Sequence, residues 1–262
     1  METVLLYRTA LVLIAVSLLG GFCSGLLGVG GAVVLIPLLL AIPPLLGAGD
    51  LTMNTVAGIT MLQVLTASAM GMLLHRSGGY THIPTVLAFG IPMGLTAFVG
   101  AAATRGLPSL VLETAFGVIV TLALLLLCLP TRGIVGDERA FTFNRTASVL
   151  CGGGVGFLSG MIGAGGGFVL VPVMTGLLGI PLRVAIGSSL GIMFLGALMG
   201  AAGKIVTGQV AWPYLLPVIA GSLPAAWVGA RVSRKLPARA LRWIMIGMLL
   251  LIFAKTWSRI LL

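Results

Sequence analysis

One sixteen-residue motif occurs twice in this chain, and it limits the possible folds more than any other feature. Residues 22–37 read FCSGLLGVGGAVVLIP and residues 157–172 read FLSGMIGAGGGFVLVP. At a fixed shift of 135 positions, Phe22, Ser24, Gly25, Gly28, Gly30, Gly31, Val34, Leu35 and Pro37 each meet their own residue type. In both copies an apolar run enters a Ser-Gly, crosses a cluster of glycines and leaves into a second apolar run. A glycine costs a helix interior roughly 1 kcal/mol relative to alanine, so three or more within four residues predict a helix that stops and restarts. Inside a bilayer such a restart is tolerated only where protein or a water-lined cavity satisfies the freed backbone groups. Two breaks in matching halves of an apolar chain point to a transport site.

The bilayer follows from composition. Of 262 residues, 59% are hydrophobic and 8% charged, whereas a soluble domain carries about 25% charged residues. The first apolar run, 5–26, is too long for the core of a signal peptide and has no cleavage site before the next run. The net charge of +10 comes from lysines and arginines scattered through short loops. That pattern is a topological signal that holds loops in the cytoplasm, not a nucleic-acid surface. Cys23, Cys128 and Cys151 show no CxxC spacing, so neither a disulfide framework nor a metal site is expected.

Gly, Pro and charge divide the chain into ten apolar segments. Residues 5–26, 32–46, 51–74, 83–103 and 108–129 form a first repeat within 1–129. Residues 147–161, 168–178, 182–206, 212–232 and 237–257 form a second within 146–262. The hydrophilic linker 130–145 separates them. After a length difference of six residues the repeat continues at a shift of 129: Gly58-Ile59-Thr60-Met61 falls on Gly187-Ser188-Ser189-Leu190, and Val99-Gly100-Ala101 on Val228-Gly229-Ala230.

The second segment of each half is short. Residues 168–178 cover roughly 16 Å of a hydrocarbon core about 30 Å thick, which predicts half-helices paired with the helix before them. Pro37, Pro43 and Pro44 are expected to interrupt the first of these. If each pair returns the chain to the side it entered from, each half makes an odd number of crossings and the repeats are inverted. Loop charges then divide ten against five, while parallel halves would divide the same fifteen eight against seven. The positive-inside rule selects the inverted arrangement, with both termini outside and the linker in the cytoplasm. The expected fold is therefore an all-α integral membrane protein of two inverted-topology repeats.

Inverted repeats bring the glycine breaks together, with half-helices starting near Ala32 and Phe168. Their first N–H groups are unpaired, and the helix dipole adds about half a positive charge there. Two such ends form an anion site that needs no buried arginine. The expected binding residues are Ser24, Gly28, Gly30, Gly31 and Ala32 in the first half and Ser159, Gly163, Gly165, Gly166 and Gly167 in the second. Thr60, Ser188 and Ser189 join them as candidate hydroxyl ligands. Asn54 and Gln63 add amides that need partners in an apolar helix. The other reading of the glycines is that they let helices pack closely.

Four ionisable residues lie in or at the ends of the runs. His75 and Lys204 share one repeat position, at helix ends from which long side chains snorkel to the interface. Glu113 and Arg242 share another, where anchoring or pairing is expected. Histidine is the side chain whose charge ordinarily changes near neutral pH, so His75 is a residue that a coupled proton would use, although the pattern does not demand one. GxSxG, HExxH, GxxxxGK[ST] and a strand-linked GxGxxG are all missing from the sequence, so neither an enzyme nor a bound cofactor is expected.

The doubled motif FxSGxxGxGG[AG]xxxxP, the G-[IS]-[TS]-[ML] that follows it, and the closing Gly208-Gln209-Val210, Gly229-Ala230-Arg231, Leu236-Pro237 and Ala240-Leu241-Arg242 resemble the sulfite exporter TauE/SafE family. The resemblance spans both halves. It implies an inner-membrane transporter that moves sulfite, sulfoacetate or related organosulfur anions, usually outward, in contact with lipid and with no nucleic acid. Onto this chain it carries the two glycine motifs and the turns at 58–61 and 187–190. Ile59 departs from the pattern where Ser188 keeps the hydroxyl. A passive anion channel built on the same glycine site is the alternative.

Overall fold

The computed structural model describes residues 2–27, 30–47, 49–75, 81–128, 144–233 and 235–261. Gly28, linker residues 130–143 and the side chains of His75, Cys128 and Arg183 lie outside the described residues. Among those described there are ten helices and no strand: α1 Glu2–Leu27, α2 Ala32–Leu45, α3 Met53–His75, α4 Ile83–Ala103, α5 Ser109–Cys128, α6 Arg145–Ile162, α7 Gly167–Pro172, α8 Leu182–Val206, α9 Trp212–Ser233 and α10 Ala238–Leu261. A π-helical turn, Val173–Leu177, continues α7. Seven helices (α1, α3, α4, α5, α8, α9 and α10) are long and apolar enough to cross a bilayer. The chain is a multi-pass membrane protein.

The repeat reappears as an exchange of packing partners. The first helix of each half packs mainly on the fourth helix of the other, α1 on α9 and α6 on α4, while α3 packs on α8 and α5 on α10. Lipid is as apolar as leucine, so helices in a bilayer associate through close van der Waals contact rather than hydrophobic burial. Small residues provide it here. A Cβ on Gly25 would collide with the Ala226 carbonyl, and one on Gly160 with the carbonyl of Ala97. Gly21 likewise meets Ser222 and Gly156 meets Met93. Each contact in one seam is the repeat image of a contact in the other. Part of the glycine motif therefore serves close packing, namely Gly25 and Gly160 of the Ser-Gly pairs.

Helix direction follows from the same contacts. Ile14 lies by Gly221 and Gly25 by Ala226, so α1 and α9 run in the same direction; Phe89 by Gly152 and Ala97 by Gly160 give the same relation for α4 and α6. In contrast, Gly71 lies by Leu190 and Gly200 by Met61, so α3 and α8 are antiparallel.

The prolines of α2 do not interrupt it, contrary to expectation. The helix runs through Pro37, Pro43 and Pro44 to Leu45. Pro44 has no N–H to give the carbonyl four residues back. Arg259 Nη1 of α10 donates to that Leu40 oxygen at 3.0 Å instead. Arg259 Nε also stands 3.3 Å from Glu113 Oε2, so Glu113 does pair. Its repeat partner Arg242 donates to Leu127 O, in the last turn of α5, at 2.9 Å.

Candidate functional site

Both helix breaks are built by glycine in the left-handed region. Gly30 and Gly31 have φ of 80° and 69°, and their repeat partners Gly165 and Gly166 have 60° and 69°. Gly163, at the end of α6, has 73°. Side chains rarely adopt these angles, so the breaks depend on glycine rather than merely admitting it. Gly31 and Gly166 each cap a short helix. Gly31 O accepts from Val34 and Leu35 at 3.1 and 2.9 Å, and Gly166 O from Val169 and Leu170 at the same two distances. The N–H groups of Gly167 and Phe168 fall between that acceptor and its first donor and have no intrahelical partner, whereas the Ala32 N–H, expected to be unpaired, donates to Gly30 O at 2.9 Å.

The two breaks lie against one point of the core. A Cβ on Gly165 would strike Val64 Cγ1 of α3, and one on Gly30 would lie 3.3 Å from that same atom. The Gly30 position also sits 3.0 Å from Met193 Sδ of α8. Val64 and Met193 occupy equivalent repeat positions, and both are fully buried. Sequence reasoning missed this pair; the signal was two apolar residues in register under the shift of 129, four positions after Thr60 and Ser189. In this conformation their side chains fill the space between the breaks.

The expected hydroxyls divide into two groups. Ser24 and Ser159 sit beneath the cap glycines: a Gly31 Cβ would lie 2.6 Å from Ser24 Cβ, and a Gly166 Cβ 3.3 Å from Ser159 Oγ. Ser159 Oγ is buried with no hydrogen-bond partner. A cavity of about 110 Å³ opens beside it, lined by Gly166, Phe168, Val155 and Ile119 among others. The other hydroxyls are committed to backbone. Thr60 Oγ1 donates to Gly163 O at 2.9 Å, tying α3 to the second break, and also approaches Val56 O at 2.8 Å. Ser188 Oγ accepts from the His82 N–H at 3.0 Å, at the start of α4. Ser189 Oγ donates to Ile186 O at 2.8 Å.

The two amides separate as well. Asn54 Nδ2 donates to Leu107 O at 3.0 Å, where the α4–α5 loop passes the start of α3. Gln63 is fully buried, and neither its nitrogen nor its oxygen has a hydrogen-bond partner among the described residues.

Lys204 corrects an expectation. It does not snorkel: the residue is 0% exposed, although it lies in the last turn of α8. Its Nζ donates to Thr104 Oγ1 at 2.6 Å, to Gln209 Oε1 at 2.9 Å and to Met161 O at 3.4 Å. Gln209 Nε2 goes on to Ala101 O and Thr207 Oγ1, closing the network. Met161 O belongs to the last turn of α6, where a cation offsets the negative end of the helix dipole. Thus an ammonium with three neutral acceptors is buried beside the second break. The sequence signal was an amide, Gln209, within reach just after the helix end.

Comparison with known proteins agrees with this architecture. The family model described as Sulfite exporter TauE/SafE matches residues 13–256. A Bacillus subtilis protein named probable membrane transporter protein YunE is 26% identical over 92% of this chain and 94% of its own length. A second from that organism, probable membrane transporter protein YdhB, is 27% identical over 88% of this chain and 94% of its own. A probable membrane transporter protein of Haemophilus influenzae is 26% identical over 90% and 94%. No solved structure matches the chain. Two glycine-broken helices meeting on a shared helix face, in a chain matched from its first membrane span to its last, make this a membrane transporter that belongs to the TauE/SafE family.

Proposed function

We propose that the protein is a secondary transporter that carries small sulfur-containing oxyanions such as sulfite or sulfoacetate outward across the inner membrane, with the two glycine breaks as its binding site. The observation that carries this reading is the convergence of both breaks on Val64. Two helix starts brought to one buried point can offer several amide hydrogens to one anion without a charged side chain. Gly30, Gly31 and Ala32 would face Gly163, Gly165, Gly166 and Gly167 across it, with Ser24 and Ser159 beneath; Gly28, expected among them, lies outside the described residues. Thr60, Ser188 and Ser189 border it from α3 and α8. The antiparallel pairing of α3 with α8 and the mirrored seams support inverted repeats. The ten-to-five division of loop charge supports termini outside the cytoplasm.

Val64 and Met193 would act as the closed gate. Substrate enters when α3 and α8 shift enough to withdraw them from Gly30 and Gly165, and a coupling ion such as a proton drives the cycle. Counterflow in proteoliposomes tests the mechanism: unlabelled sulfite inside should accelerate labelled sulfite uptake, whereas a passive channel shows no such trans-stimulation. Gly30→Leu and Gly165→Leu test the site. Each should abolish counterflow, and intact transport in both would dismiss the glycine breaks as the binding place.

A further inference from the structure

Gln63 lies on α3 three residues after Thr60, so those two side chains are helical neighbours, and one before Val64, whose side chain points about 100° away around the helix. Thr60 bonds the carbonyl of Gly163, and Val64 touches Gly165 and the Gly30 position. The unpartnered amide is therefore one turn along α3 from the hydroxyl that holds the second break, at the level of the residue that both breaks approach. Its burial is complete, and an amide that leaves water without hydrogen bonds is strongly disfavoured. Packing does not require it. The repeat-equivalent residue is Ile192, an apolar side chain that is itself fully buried. A polar group kept at one of two matched core positions, against that cost, calls for a ligand.

Resting on the anion site proposed above, we infer that Gln63 contacts the transported species and selects an oxyanion that still carries an O–H. The amide has two unlike ends: its NH₂ donates, and its carbonyl only accepts. Backbone N–H groups at the breaks reward negative charge of any kind. The Gln63 carbonyl rewards only a ligand that gives a hydrogen back. A fully deprotonated oxyanion turns one of its oxygens toward that carbonyl and leaves it unpaired. Hydrogen sulfite satisfies both ends, its charged oxygens taking the NH₂ and its hydroxyl donating to the carbonyl. The inference thus ranks hydrogen sulfite above anions of similar size without a hydroxyl.

The test is calorimetric binding to the purified full-length protein at one mildly acidic pH, where sulfite is present as hydrogen sulfite. Methanesulfonate, a monoanion of similar size with no O–H, is the comparison ligand. The wild-type protein should bind hydrogen sulfite about tenfold more tightly than methanesulfonate, one well-made hydrogen bond's worth. Gln63→Leu should bring the two anions level by weakening hydrogen sulfite more than methanesulfonate, without lowering the melting temperature. Gln63→Asn, which keeps the amide on a shorter arm, should retain part of the preference and serves if the leucine variant does not fold. Equal binding of both anions by the wild type, or an undiminished preference in Gln63→Leu, overturns the role of Gln63 and leaves the glycine site standing. Failure of folded wild-type protein to bind either anion removes the site and this inference together.

Discussion

The two glycine breaks have nearly the same backbone and are held in place by different means. Around the second break, Thr60 bonds Gly163 O and Lys204 bonds Met161 O. The Lys204 network has no counterpart in residue type around the first. Under the shift of 129, His75 aligns with Lys204, Ser233 with Thr104 and Tyr80 with Gln209. The first short helix is tied instead at its far end, where Arg259 takes the carbonyl freed by Pro44 and pairs with Glu113. Duplication has thus copied the backbone of the breaks, while the side-chain ties seen among the described residues differ and fall at opposite ends of the two short helices. Local stability follows such anchors. Amide exchange should therefore be slower around Gly163 than around Gly31.

Substitution at the breaks should give the largest contrast. Gly163 pairs a left-handed φ with contact against the Ala57 backbone, which cannot move aside. Gly163→Val should cost about 3 kcal/mol or more, read as loss of the monodisperse peak in size-exclusion chromatography. Gly30 faces the flexible Met193 thioether and the Val64 side chain, so Gly30→Val should cost about 1–2 kcal/mol and still fold. Equal losses would erase the distinction between these two positions. Next is Lys204→Met, which strips a donor from Met161 O and Gln209 Oε1. It should lower stability by about 2 kcal/mol and raise amide exchange near Met161 but not near Leu26. Thr60→Val removes the bond to Gly163 O at nearly constant shape and should cost about 1 kcal/mol in a thermal melt. The smallest effect belongs to the first half. Arg259 is 45% exposed, so Glu113→Gln should cost about 0.5 kcal/mol or less, a difference that vanishes at high salt.

Much of the architecture was legible in the residues. The fourth segment of the first half and the third of the second match α4 and α8 end for end, and the glycine clusters fall at the breaks. Hydropathy reads one residue at a time and does so well where lipid is the solvent. It does not report which helix covers which face, so it gave no hint that α1 would lie on α9. Lys204 shows the cost of that gap. Its place at a helix end suggested an interface, but the loop carrying Gln209 and the ends of α4 and α6 cover it. Asn54 and Gln63 looked alike in sequence, each an amide in an apolar helix. Only the fold separates them, because Leu107 O accepts from the Asn54 amide while neither end of Gln63 has a partner among the described residues.

The mirrored seams also bear on biosynthesis. Gly25 of α1 packs on Ala226, some two hundred residues later in the chain. At ribosomal speeds of about 5–20 residues per second, α1 stays in the membrane without its mate for roughly 10–40 s. During that interval its bare glycine edge is open to any other small-faced helix nearby, whether a chaperone's, the insertion machinery's or that of another half-made copy. The α4–α6 seam joins neighbours about sixty residues apart and closes much sooner, so the nascent protein should mature from its middle outward, its first helix among the last to be seated.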